Sequence, residues 1–131
     1  MGFLKNLKSA VGANIPESWI PLESLDQLKT IKASSFEKPA VIFKHSTSCG
    51  ISNMAKFQLE GEWDLDADEI DFYYLDLWSY RPISNAVAEE FKIVHQSPQM
   101  IIIKDGAVVY HTSHHGVHLS GLKSVLKQVN A

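Results

Sequence analysis

The sequence predicts one α/β domain with a mixed five-stranded sheet flanked by helices. Short β-branched runs alternate with stretches of apolar residues at helical spacing, in the order β-α-β-α-β-α-β-β-α. Asp105-Gly106 separates two apolar runs and is a strong hairpin signal, so the last two strands pair antiparallel while the earlier ones are linked by helical crossovers. A chain of 131 residues, 45% hydrophobic and 21% charged, can bury one sizeable core and needs neither metal nor disulfide to stay folded.

Each element has a local cause. Residues 1–15 read as a short amphipathic or frayed N-terminal extension, because Lys5 and Lys8 interrupt Phe3, Leu4, Leu7 and Val11 and leave no apolar run fit for a signal core or a membrane span. Asn6 also stands where a myristoylation signal requires Ser or Thr. Residues 16–131 form the single domain. Trp19, Ile20 and Leu22 make a short strand, and Ser24 with Gln27 forms a capping box ahead of Leu25, Leu28 and Ile31. Ala40 to Phe43, after Pro39, is a strand buried on both faces. A helix begins at or just beyond Cys49 and carries Ile51, Met54, Ala55 and Leu59 on one side. Asp71 to Leu77 is the third strand, and Pro82 opens the next helix with Ile83, Ala86, Val87 and Phe91 on its apolar face. Met100 to Ile103 and Ala107 to Tyr110 are the hairpin strands, and Leu122, Val125, Leu126 and Val129 the last amphipathic helix.

Charge and cysteine content narrow the function. Twelve basic against fifteen acidic residues, net −3 with no basic block, argue against nucleic acid as a partner. With no membrane signal either, a cytoplasmic location is expected. Cys49 is the sole cysteine, so any second sulfur must come from another molecule, and no multi-cysteine metal site can be built from one chain. His111, His114, His115 and His118 lie too loosely in a strand-to-helix loop to define a zinc site, and the acidic stretch from Glu60 to Asp71 fails the calcium-loop pattern at Glu69 and Leu75. That stretch reads as a solvated loop. Trp63, Trp78, Phe72, Tyr73 and Tyr74 read as core and boundary aromatics.

Topology then gathers the chemistry. Parallel strands joined by crossovers end at one sheet edge, where α/β folds place their ligands. The loops bearing Cys49 and Arg81 arrive there. So does the segment with His95, Ser97 and Pro98, because the fourth strand must start at that edge for the hairpin to close, and the fifth strand returns His114 and His115 to the same side. In KHSTSCGIS, residues 44–52, Ser48, Gly50 and Ser52 flank the cysteine as cap and loop residues rather than core. A helix N-terminus stabilises the thiolate that performs disulfide exchange, and Lys44, His45 or Arg81 could add to that effect. On sequence context alone Ser97-Pro98 is an ordinary proline entering an edge strand.

Four separated motifs carry a resemblance over roughly residues 17–130. KHSTSCGIS, FYYLDLWSYRPISNAVAEEF from Phe72 to Phe91, HQSPQ from His95 to Gln99 and the pair Ser113-His114 resemble the YtxJ-type monothiol bacilliredoxins of the thioredoxin-like superfamily. The resemblance implies a thioredoxin-like fold and a thiol-disulfide oxidoreductase in which Cys49 removes bacillithiol from mixed disulfides on S-thiolated client proteins. It also implies a cis proline at Pro98. No bound cofactor is expected, and the low-molecular-weight thiol is a co-substrate. Lys44, His45, Arg81, His95 and His114 would attract an anionic thiol such as bacillithiol, while Ser97 and Pro98 would supply backbone to orient the disulfide. Many relatives carry proline or serine where this chain has Gly50. Cys-Gly-x-Ser also resembles monothiol glutaredoxins, some of which share an iron–sulfur cluster between two chains, although no Gly-Gly segment follows the hairpin here. A cluster carrier and a redox-inactive binding module of the same fold are the alternative readings.

Overall fold

A computed structural model describes residues 15–130. Most of the expected N-terminal extension, residues 1–14, lies outside the described residues. Ile15 is half-buried and packs on the core.

The elements follow the expected order: β1 (Trp19–Pro21), α1 (Asp26–Ser34), β2 (Ala40–His45), α2 (Gly50–Glu62), β3 (Asp71–Asp76), α3 (Arg81–Glu90), β4 (Gln99–Lys104), β5 (Ala107–Ser113), a one-turn 3₁₀ helix His114–Gly116, and α4 (Leu119–Val129). The five strands lie in the order β1-β3-β2-β4-β5. β1 and β2 pair parallel with β3, whereas β4 runs antiparallel to both β2 and β5. Asp105 and Gly106 both have positive φ, 54° and 81°, the conformation a two-residue hairpin turn requires and the reason glycine stands there.

The sheet is buried on both sides, and strand alternation sorts its residues into two cores. Val41, Phe43, Phe72, Tyr74, Met100 and Ile102 pack with Leu59 of α2 and with Leu122 and Leu126 of α4. Ala40, Ile42, Tyr73, Leu75, Ile101 and Ile103 pack with Leu28 and Ile31 of α1 and with Ile83 and Val87 of α3. The result is three layers, helices on sheet on helices.

Local departures from expectation have identifiable causes. The capping box before α1 is half formed: the Gln27 side chain accepts from Ser24 N–H, but the Ser24 hydroxyl caps no amide of the helix. α3 begins at Arg81, with Pro82 in its first turn. The acidic stretch is not all loop, because Glu60 and Glu62 complete α2 and Asp71 opens β3. Glu60 is paired with Lys56 one turn earlier at 2.6 Å, which supports that last turn.

Candidate functional site

The strand registers build one edge. His45 at the end of β2 is level with Asp76 at the end of β3, Lys44 with Gln99 at the start of β4, and Gln99 with Ser113 at the end of β5. Four connections therefore leave or enter the sheet within one row: residues 46–49, 77–80, 94–98 and 114–118. The loops expected at the edge that carries Cys49 are brought together in this way.

Cys49 is the N-cap residue of α2, with extended backbone (φ −107°, ψ 122°). It is partly exposed, and it is a free thiol. The first turn of the helix carries no acidic residue and no side chain caps it, so Cys49 stands at the positive end of the helix dipole. Gly50, which follows, meets nothing within 4 Å of where a Cβ would stand.

The loop before the cysteine is held from below. Ser52, fully buried three residues on, accepts from Ser46 N–H at 2.9 Å and is joined to His45 Nδ1 at 2.7 Å. His45 is 1% exposed, and burial, with the nearby Lys56 charge, lowers its pKa to about 4 against opposing contributions from Asp76 and Ser52. Across the loop, the Trp78 indole N–H is shared between Ser46 Oγ at 3.0 Å and Ser48 Oγ at 2.8 Å. Trp78 is 59% exposed, so it is a surface residue of the site rather than a core aromatic.

A second group supports the segment entering β4. Lys44 is fully buried and points to the α1/α3 side, where its ammonium donates to Ser84 O and to His95 Nδ1, each at 3.1 Å. Burial first, then Arg81, lowers the Lys44 pKa to about 8. The pKa of His95 is lowered by burial and by Lys44 and Arg81. Gln99, also fully buried, accepts from Gln96 N–H and donates to Val94 O, closing the loop on itself. The Ser97-Pro98 peptide is cis, and Pro98 O accepts from His114 N–H at 3.0 Å.

Lys44 and His45 were expected to attract an anionic thiol. Side chains with essentially no solvent exposure cannot meet one, and His45 stays uncharged at neutral pH, so both act by positioning backbone. Ser97 and Pro98 lie at the same edge, where Pro98 O accepts from His114 N–H and ties the entry of β4 to the 3₁₀ turn. Arg81 is exposed, His95 is half-buried, and His114 and the Ser97 hydroxyl remain at the edge, the latter buried without a partner. Sequence reasoning missed the parts that Trp78 and Gln99 play in holding these loops. The YYLDLWS run offered a signal for Trp78, since it follows a polar strand end rather than an apolar stripe. Among the described residues no group of histidines, cysteines and carboxylates is arranged to hold a metal ion, and no helix is long and apolar enough to cross a membrane.

This fold and a lone thiol at a helix N-cap define a thioredoxin-fold redox protein. Solved structures agree on the fold. A candidate oxidoreductase with a thioredoxin fold is 28% identical, with a TM-score of 0.65 over 82% of this chain and 92% of that one. Thioredoxin from Malassezia sympodialis is 23% identical, with a TM-score of 0.64 over 85% and 90%. Thioredoxin f from spinach chloroplast is 18% identical, with a TM-score of 0.65 over 86% and 94%. The family model of monothiol bacilliredoxin BrxC matches residues 20–122, and the chain belongs to that family.

Proposed function

We propose that the protein removes a low-molecular-weight thiol, of the bacillithiol kind, from mixed disulfides on client proteins. The observation that carries this reading is the environment of one sulfur. Cys49 stands partly exposed at an uncapped helix N-terminus, while the position three residues on holds Ser52, whose hydroxyl is locked beneath the loop.

In the first step the Cys49 thiolate attacks the small thiol's sulfur in the mixed disulfide. A bond forms between Cys49 Sγ and that sulfur, the bond to the client's sulfur breaks, and the client leaves as a thiolate that takes a proton from solvent. Ser52 cannot resolve the product, so a second small thiol attacks it, forming a symmetrical small disulfide and returning the Cys49 thiolate. A reducing compartment such as the cytoplasm supplies that second thiol.

The test is intact-mass measurement after mixing the protein with an S-bacillithiolated client. The client should lose the mass of one bacillithiol and Cys49 should gain it. Transfer at the wild-type rate by Cys49→Ser would refute the mechanism.

A further inference from the structure

The exchange reading leaves the Lys44 amine without a chemical part. Its side chain is fully buried, and among the described residues no carboxylate is paired with it. A buried cation in that position is costly, because neither water nor an opposite charge replaces its lost hydration. Its partners are a carbonyl, Ser84 O, and a ring nitrogen, His95 Nδ1, each at 3.1 Å. The carbonyl only accepts. The imidazole can both take a proton and pass one on.

The two groups lead outward. Lys44 precedes His45, the last residue of β2, and is level with Gln99 at the start of β4. His95 is half-buried in the segment that enters the edge carrying Cys49. With Nδ1 accepting from Lys44, the neutral ring carries its proton on Nε2. A hydrogen-bonded chain therefore runs from a buried ammonium through one ring to a half-exposed position at the edge. Apart from each other, the charged group that acts on both is Arg81, which favours release of a proton from either. Burial and Arg81 bring the Lys44 pKa to about 8, close to the roughly 8.5 of a free thiol, and such a match favours proton exchange between the two.

Resting on the exchange reading, we propose that Lys44 and His95 form the proton carrier through which solvent protonates the departing client thiolate. As the client's sulfur leaves, it takes the proton from His95 Nε2, while Lys44 gives one to Nδ1 and becomes a neutral amine. Solvent then reprotonates the amine. The proton that the second small thiol gives up in its own attack keeps the cycle balanced. His95 is thus the catalytic group, and Lys44 acts through it.

The probes are the symmetrical disulfide of 2-mercaptoethanol and its mixed disulfide with pyridine-2-thiol. Attack on the mercaptoethanol sulfur places the same group on Cys49 in both cases. It expels either an alkyl thiolate, which needs the proton, or pyridine-2-thiolate, whose charge the ring delocalises. Formation of that adduct is followed by intact mass for wild type, His95→Gln and Lys44→Met, with thermal melts to confirm folding. His95→Gln keeps an oxygen that accepts from Lys44 but cannot relay a proton, so it decides the matter if Lys44→Met does not fold. The alkyl-to-pyridyl rate ratio should fall roughly a hundredfold in both variants, the lower end of what a positioned acid contributes. In wild type the ratio should also fall as pH rises through about 8, where Lys44 loses its proton, and in His95→Gln it should be flat. Ionisation of Cys49 cancels from the ratio. An unchanged ratio in the variants, equal slowing of both reactions, or a wild-type ratio independent of pH would overturn the proposal. No wild-type adduct from either disulfide would refute the exchange reading itself, and this role with it.

Discussion

Acidification should weaken this protein through His45. In the folded state its pKa is about 4 against an ordinary value of 6.5, chiefly because burial disfavours the charged ring, with Lys56 adding to the effect. Below pH 6.5 the unfolded chain therefore takes up a proton that the folded one refuses until about pH 4. Stability contributed in this way is full above 6.5, falls as pH drops through the window and is gone below about 4. The gap corresponds to about 3 kcal/mol in total, of which about 2 kcal/mol is lost between pH 7 and 5. His95, also lowered, adds to the loss, whereas Lys44 is charged in both states throughout that interval and adds almost no slope. Urea midpoints followed by tryptophan fluorescence at pH 7, 6 and 5 measure the effect. His45→Gln keeps an amide that can bond to Ser52 and does not titrate, so its stability should fall by about 2 kcal/mol less than that of wild type over the same interval. Equal pH slopes for the two proteins would refute the assignment.

Four further outcomes are expected. Cys49→Ser should abolish transfer of the small thiol while leaving the thermal melt close to wild type, since the residue is partly exposed and caps nothing with its side chain. Ser52→Ala should cost about 2 to 4 kcal/mol in urea unfolding, because it leaves Ser46 N–H and His45 Nδ1 buried without partners. Gly116→Ala should destabilise by about 1 to 3 kcal/mol through its collision with Thr112, and Thr112→Ala should relieve most of that in the double variant. Gly50→Ala should stabilise by about 0.4 to 1 kcal/mol, since the site is open and the helix start loses a flexible residue; a lower melting temperature would contradict that.

Much of the fold was legible because its signals are local or topological. Val41, Phe43, Ile101 and Ile103 announce strands buried on both faces, and Asp105-Gly106 announces its hairpin. The rule that crossover strands end at one edge was sufficient to collect Cys49, Arg81, His95, Pro98 and His114. Side-chain orientation was less accessible. Lys44 follows Phe43 in a strand buried on both faces, so alternation places it on the opposite face, yet a lysine in a loop-bearing motif reads as a surface cation. The roles of Trp78 and Gln99 depend on contacts across 30 residues and on a loop closing over itself, which no periodicity encodes. The 3₁₀ turn at His114–Gly116 depends on Thr112 and Pro98, two neighbours that its own sequence does not reveal.

These orientations change how the sulfur is served. If Lys44 and His45 had reached it, the site would rest on direct charge pairing, which salt screens and which contributes little at an exposed position. Instead Lys44 holds Ser84 and His95, while His45 and Ser46 hold Ser52. Both buried groups fix backbone on either side of the edge. Cys49 is itself the N-cap residue of α2, whose first-turn amides are positioned by the helix and capped by no side chain. Ser52 occupies the place where a second thiol would compete for the new disulfide, and its hydroxyl is already committed to the loop. On the proposed mechanism, a hydroxyl at that position leaves the mixed disulfide to be resolved by an outside thiol.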